Sequence, residues 1–369
     1  MRAWWLSVAV ALAMSLSGPP AVAGRSRAID NLFRPAAPPA TPIETLHARD
    51  LPIDRRGVGD GLANRLDYFD TGGGPFDYTL QLVSEEETFR VYRLVYPSPL
   101  KTPWPENNVV PAEYYVPRDA DATAKVPGAV VLDILDGSAI LPRMMARAAA
   151  QQGLAALYVP MPCYNERRPP DKTHEKILRD DPTKTVDGLR QTVMDVRRAR
   201  AILASRPEIT DTNVGITGIS LGGIMTALAA GVDGQFTRVV PILSGGDVAD
   251  ITFHCHEMRK LRAALLEKGV TREKASGLFA PVEPLNFAGR VGADRCLMIN
   301  AANDEVIPKK DTEVLARAIG NPQVMWLQAG HYSALTYFPL MQKTVIEFLR
   351  DGKRPPADAG APGAKAQAP

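Results

Sequence analysis

Short apolar runs alternate with longer amphipathic segments along the central part of the chain. Apolar runs of this length are typical of buried strands, and the amphipathic segments are typical of helices that cover a sheet. The pattern predicts parallel strands over residues 128–134, 154–159, 213–217, 238–243, 295–300 and 323–327, antiparallel edge strands over 88–96 and 110–116, and helices over 144–152, 185–205, 221–230 and 310–319. This alternation indicates one α/β domain over residues 61–350, a doubly wound and mostly parallel sheet with antiparallel N-terminal edge strands.

An insertion over residues 247–290 lengthens the connection between two of the predicted parallel strands. It contains a helix-like stretch and several large apolar side chains. Two interpretations stay open. The insertion is either a helical lid over the substrate site or an ordinary crossover with long loops.

Both ends of the chain differ in composition from this central domain. Arg2, an apolar run and the small residues Ala21 and Ala23 before Gly24 indicate a secretory signal peptide over residues 1–23. The apolar run is too short for a convincing membrane span, so we expect no stable membrane insertion of the mature chain. Residues 24–60 are predicted to be a Pro-rich linker and residues 351–369 a disordered tail. These features predict a secreted or periplasmic protein.

The charge balance excludes one class of partner. The formal net charge is +2 and the basic residues form no cluster, which argues against nucleic acid. The arginines of the predicted helix over 185–205, at Arg190, Arg197, Arg198 and Arg200, are interpreted as a solvated face.

The three cysteines offer no metal-binding spacing. Adjacent residues such as those of His254-Cys255-His256 do not converge on one ion, so we predict no metal and no cofactor. An oxidising compartment allows one disulfide, and Cys163–Cys255 is the pair to test because Cys296 falls in a predicted core strand.

The segment from Thr217 to Gly223 has the Gly-x-Ser-x-Gly pattern of a nucleophile elbow around Ser220. A predicted strand precedes it and a predicted helix follows it. The turn between them must be sharp, and glycine at positions 218 and 222 avoids Cβ clashes. Ser220 is therefore the candidate nucleophile.

Two further polar residues follow predicted strands downstream of Ser220. Asp304 follows the strand over 295–300, and His331 follows the strand over 323–327. An imidazole is needed to take the serine proton, and a carboxylate is needed to hold the imidazole tautomer. Glu305 is the alternative carboxylate, although the spacing to Pro308 favours Asp304.

A tetrahedral oxyanion also needs backbone N–H donors. The residue after the nucleophile, Leu221, is one predicted donor. The second is expected from the loop after the strand over 128–134, where Leu135 and Ser138 both stay open. Asp133 and Asp136 would oppose an oxyanion if they faced it, so we expect them to face away and to bond the loop.

Two residues are candidates for substrate contact. Tyr164 lies in a loop that leaves the strand over 154–159 and should border the site. Phe279, with other apolar residues of the insertion, is predicted to line a narrow acyl pocket.

The chain order Ser, Asp, His and the strand pattern over residues 107–348 resemble the α/β-hydrolase superfamily, and within it the dienelactone-hydrolase and acetyl-xylan-esterase-like branch. The resemblance also rests on residues 112–117, 127–132 and 151–160. The chain departs from dienelactone hydrolases by having serine in place of cysteine, and Asp136-Gly137 replaces the His-Gly pair of many esterases.

This resemblance implies a serine hydrolase that needs no cofactor, a carboxylesterase for short-chain acyl esters of a small molecule or a carbohydrate. The alternatives are a serine peptidase of the same fold and a non-catalytic α/β-hydrolase-fold binding protein.

Overall fold

The structure, a computed structural model, describes residues 41–135, 137–169, 177–179, 181–356 and 359. Its sheet contains ten strands in the described part of the chain. The strands are β1 (Glu44–Arg49), β2 (Pro75–Glu85), β3 (Phe89–Pro97), β4 (Val109–Pro117), β5 (Val126–Leu132), β6 (Ala155–Val159), β7 (Ile209–Ile219), β8 (Val239–Ile242), β9 (Leu297–Ala301) and β10 (Gln323–Leu327). Their spatial order is β1-β2-β3-β4-β6-β5-β7-β8-β9-β10.

Strand direction divides the sheet into two parts. β1 to β4 pair antiparallel, and β4 also meets β6 antiparallel. The six strands from β5 to β10 pair parallel. The predicted doubly wound, mostly parallel sheet with antiparallel N-terminal strands is confirmed.

Helices cover both faces of the sheet. The α-helices of the described residues are α1 (Asp60–Asp67), α2 (Ile140–Gln151), α3 (Pro182–Ser205), α4 (Leu221–Asp233), α5 (Val248–His254), α6 (Arg259–Glu267), α7 (Arg272–Phe279), α8 (Lys309–Ile319) and α9 (Phe338–Asp351). Successive residues of β5 alternate between two hydrophobic clusters, one shared with α3 and α4 and the other with α2 and α9. Burial on both faces explains why the parallel strands are continuously apolar in sequence. None of the helices described is long and apolar enough to cross a membrane.

The segment before α1 corrects the predicted linker. Residues 44–49, inside the range 24–60, form β1 and pair with β2. The segment then passes over α3, where the Asp50 carboxylate accepts a hydrogen bond of 2.9 Å from Arg198 Nε. Residues 1–40, including the predicted signal peptide, lie outside the described residues.

Three of the four arginines interpreted as a solvated face are buried. Arg197, Arg198 and Arg200 are 4%, 9% and 7% exposed. Arg198 pairs with Asp50, whereas Arg197 and Arg200 lie 3.4 and 3.3 Å from the buried Asp233 carboxylate. The solvated-face prediction is therefore wrong for these residues. Leu51 and Asp50, in the segment assigned to the linker, accept hydrogen bonds from Arg197 and Arg198, and Gln235 accepts one from Arg200.

The start of the predicted tail is bound to the domain. Arg354 donates a hydrogen bond of 3.0 Å to the carbonyl oxygen of Cys296, and Gln323 donates one of 2.8 Å to that of Pro355. The prediction of disorder is wrong for residues 351–356. Residues 357, 358 and 360–369 lie outside the described residues.

Candidate active site

Ser220 lies at the turn between β7 and α4, as the sequence predicts. Its φ of 58° is unusual for a residue other than glycine and marks a strained turn. The Ser220 amide donates a hydrogen bond of 2.9 Å to the carbonyl oxygen of Ile242, which fixes the turn to β8. The hydroxyl is thereby presented from a rigid element at the carboxyl end of the strand.

Close backbone packing explains the two elbow glycines. A Cβ on Gly218 would lie 2.5 Å from the carbonyl oxygen of Gly222, and a Cβ on Gly222 would lie 2.3 Å from that of Asp133. No larger residue fits at either position without moving the backbone. The expectation that these positions need glycine is confirmed.

A chain of hydrogen bonds joins the three residues predicted from separate strand ends. Ser220 Oγ lies 2.9 Å from His331 Nε2, and His331 Nδ1 lies 2.9 and 3.0 Å from the two oxygens of Asp304. The His331 and Asp304 side chains are only 8% and 2% exposed, so little water competes for these contacts. A tautomer with its proton on Nδ1 donates to Asp304 and leaves Nε2 to accept from the serine hydroxyl.

The two neighbouring carboxylates have different positions. Asp304 Oδ1 also accepts hydrogen bonds from the amides of Val306, at 2.9 Å, and Ile307, at 2.7 Å. Glu305 instead accepts a hydrogen bond of 2.8 Å from the His331 backbone amide. The geometry therefore gives Asp304 the contact with the imidazole and Glu305 the contact with the histidine backbone.

The predicted oxyanion donors lie on two elements, the start of α4 and the loop after β5. The amides of Leu221 and Leu135 donate to no protein acceptor within the described residues. Asp136 is not described, and Ser138 has a polar contact of its own. The choice between Leu135 and Ser138 as second donor stays a prediction.

Asp133 is fully buried beside this loop. Its carboxylate accepts hydrogen bonds from the Ile134 amide at 3.1 Å and from the Tyr158 hydroxyl at 3.0 Å. The expectation that Asp133 bonds the loop is confirmed.

Tyr164 supports the loop that was expected to supply the oxyanion donor. It is 1% exposed, and its hydroxyl donates to the carbonyl oxygen of Leu135. Its ring packs so closely on Gly137 that a Cβ there would lie 2.7 Å from a ring carbon. The ring fills the space left by this glycine, and the predicted contact of Tyr164 with substrate stays a prediction.

The insertion over residues 247–290 reaches the histidine loop. It contains α5, α6 and α7, and Glu257 between α5 and α6 accepts a hydrogen bond from the hydroxyl of Tyr332. Sequence reasoning missed both residues. The adjacency of Tyr332 to His331 was an available signal, whereas no spacing pattern connects Glu257 with a residue 75 positions away.

The three cysteines are described and are not joined in a disulfide. The Cys255 thiol donates to Glu257, and Cys163 Sγ lies 3.2 Å from Arg179 Nη2. The structure therefore does not support the Cys163–Cys255 pair.

Phe279 is 1% exposed and belongs to the larger hydrophobic cluster. We expect Phe279→Ala to lower the free energy of unfolding by about 3–5 kcal/mol, because it leaves a cavity in packed surroundings. Chemical denaturation measures this loss. The predicted acyl-pocket role further requires that the variant prefer longer acyl chains than the parent. An unchanged chain-length profile would leave Phe279 as a core residue only.

Two family models match parts of the chain. One, described as alpha/beta hydrolase domain containing 18, matches residues 136–260, and another, described as TAP-like protein, matches residues 278–361. No curated protein sequence matches the chain significantly.

Solved structures with similar folds are found as well. The acetyl xylan esterase from Paenibacillus sp. R4 has a TM-score of 0.63 and 18% identity, over 78% of this chain and 92% of that chain. Acetyl xylan esterase 1 from Thermoanaerobacterium sp. JW/SL YS485 has a TM-score of 0.56 and 16% identity, over 81% of this chain and 95% of that chain. A puromycin-hydrolyzing peptidase from Mycobacterium tuberculosis has a TM-score of 0.50 and 15% identity, over 74% of this chain and 45% of that chain.

Sequence identities of 15–18% to these solved structures show a shared fold alone. The strand order, the two family models and the structural matches together place the chain in the α/β-hydrolase superfamily. The superfamily resemblance seen in the sequence is confirmed.

Proposed function

We propose that the protein is a serine hydrolase, a carboxylesterase that acts on short-chain acyl esters through an acyl-enzyme at Ser220. The observation that carries this proposal is the hydrogen-bonded chain from Ser220 through His331 to Asp304 at a strained strand–helix turn. These side chains come from three different strand ends, and their arrangement matches the nucleophile, base and orienting carboxylate of acyl transfer.

The proposed reaction has two halves. The Ser220 oxygen attacks the ester carbonyl while His331 Nε2 takes the hydroxyl proton, and Asp304 stabilises the imidazolium that forms. The Leu221 amide at the start of α4 donates to the oxyanion. His331 returns the proton to the leaving alkoxide, which departs as the alcohol. Water then attacks the acyl-enzyme with His331 as base, releasing the acid and restoring the serine.

Two classes of substrate are candidates for this reaction. Two of the structures with similar folds are acetyl xylan esterases, which supports an acetylated carbohydrate as one candidate substrate. The similar puromycin-hydrolyzing peptidase makes an aminoacyl amide the second candidate, although the chain spans less than half of that protein.

Activity profiling tests these candidates. We expect purified protein to hydrolyse p-nitrophenyl acetate and butyrate with at least tenfold higher kcat/KM than the octanoate, because extra methylenes in a narrow pocket cost more than they gain. Acetylated xylan and aminoacyl anilides are assayed beside these esters. Faster turnover of the anilides would favour the peptidase, and no turnover of any substrate would favour the binding protein.

We also propose that the mature protein begins at Gly24 and acts outside the cytoplasm. The support is the sequence pattern of a charged start, an apolar run and Ala21-Val22-Ala23. N-terminal sequencing of protein recovered from secreted or periplasmic fractions tests it. A cytoplasmic protein that retains its first 23 residues would contradict it.

A further inference from the structure

A second polar network lies next to His331 and is formed by Tyr332, Glu257 and Cys255. The Tyr332 hydroxyl donates to Glu257 Oε1, and the Cys255 thiol donates to Glu257 Oε2 at 2.9 Å. The Tyr332 ring stands edge-on to the His331 imidazole, with ring centroids 5.5 Å apart and planes at 81°. The insertion thus contacts the histidine loop through the Glu257 carboxylate, and the Tyr332 ring connects this contact to the imidazole.

The ionisation states within this network are complementary. Burial and the Glu257 carboxylate raise the pKa of Cys255 to about 12, and the same two causes raise the pKa of Tyr332. Burial opposes ionisation of Glu257, but hydrogen bonds from Cys255 and Tyr332 and the attraction of His331 lower its pKa below the ordinary value. At neutral pH the network is therefore one carboxylate held by two neutral donors.

Two carboxylates bond His331, and a third, from another part of the chain, bonds the neighbouring Tyr332. Asp304 bonds Nδ1 and Glu305 bonds the backbone amide, and both lie in the loop between β9 and α8. Glu257 is supplied by the insertion and interacts with His331 through its charge. Cys255 and Tyr332, the two donors of the network, are neutral at the pH of interest, and the charge of Glu305 also acts on Tyr332.

We propose that Glu257 is a positioning residue for the proposed ester hydrolysis, which holds the His331 loop through Tyr332 and stabilises the imidazolium formed when Ser220 loses its proton. This inference rests on the proposed function. It also gives the insertion a role, because Glu257 lies between α5 and α6 and bonds Tyr332 of the histidine loop.

The isosteric substitution Glu257→Gln removes the charge and keeps the shape. We expect kcat to fall about three- to tenfold with little change in KM, because the charge acts on the imidazolium of the transition state and not on the bound substrate.

A matched control is available on the same insertion. Glu267→Gln removes one negative charge from the exposed end of α6 and should leave kcat at the value of the parent protein. Equal melting temperatures of the two variants establish that the insertion is folded in both. An unchanged kcat in Glu257→Gln, or an equal loss of kcat in Glu267→Gln, would overturn the inference.

A measurement without turnover separates this inference from the proposed function. In the Ser220→Ala background, ¹⁵N NMR observes the ring nitrogens of His331 directly, and adding Glu257→Gln should shift their resonances at a fixed pH. Unshifted resonances would overturn the role of Glu257. Absence of hydrolysis by the parent protein would instead overturn the proposed function, and the NMR result would still decide whether Glu257 acts on His331.

Discussion

Replacing Ser220 by alanine is expected to lower ester hydrolysis by at least about a thousandfold, because no other hydroxyl lies within hydrogen-bond distance of His331 Nε2 among the described residues. The variant should also lose labelling by a fluorophosphonate, which reacts with an activated serine. The fold should be retained, since the turn is fixed by backbone hydrogen bonds to Ile242 and within α4. Initial rates and gel-based labelling measure both effects.

Ser276→Ala provides the control for this experiment. Ser276 lies on α7, is exposed, and its hydroxyl lies 3.4 Å from the carbonyl oxygen of Arg272 in its own helix. Its substitution removes the same hydroxyl without touching the elbow, so rate and labelling should match the parent protein. Retained turnover in Ser220→Ala, with a melting temperature equal to that of the parent, would rule out Ser220 as nucleophile.

The position of Ser220 was predictable because its signal is local. A strand, a tight turn and a helix follow one another within a short stretch, and the close approach of Gly218 to Gly222 leaves no room for a Cβ. The positions of Asp304 and His331 follow from a general rule. The carboxyl ends of parallel strands meet at one edge of the sheet, so residues that follow β9 and β10 lie near the residue that follows β7.

The buried arginines of α3 were not predictable in the same way. Their helical spacing is that of an exposed face, and the carboxylate that pairs with Arg198 lies 148 positions away in Asp50. Composition assigned that segment to a linker because prolines precede it. A strand of six residues at the edge of a sheet gives too weak a pattern to overrule this assignment.

The contact between Glu257 and Tyr332 was hidden for a related reason. The sequence shows that the insertion leaves the edge of the sheet where the elbow lies, but a loop between two short helices has no periodicity that fixes its orientation. Only the packed structure brings Glu257 to the histidine loop. Residue patterns therefore predict little about the contacts that a long insertion makes with a site.

Asp304→Asn is expected to lower kcat by about a thousandfold or more, whereas Glu305→Gln should lower it less than about tenfold. The backbone explains the difference. Asp304 Oδ1 accepts hydrogen bonds from the amides of Val306 and Ile307, so the carbonyl oxygen of an asparagine would keep that position. Its amide nitrogen would then occupy the place of Oδ2, 2.9 Å from His331 Nδ1, and donate to it.

A donor at this place selects the wrong tautomer of the imidazole. The proton moves to Nε2, which can no longer accept the hydroxyl proton of Ser220. Glutamine at position 305 keeps an oxygen for the His331 amide and leaves the tautomer unchanged. Steady-state kinetics of both variants, with melting temperatures as the check on folding, separate the two carboxylates. Equal losses, or a larger loss in Glu305→Gln, would transfer the orienting role to Glu305 despite its observed contact with the backbone.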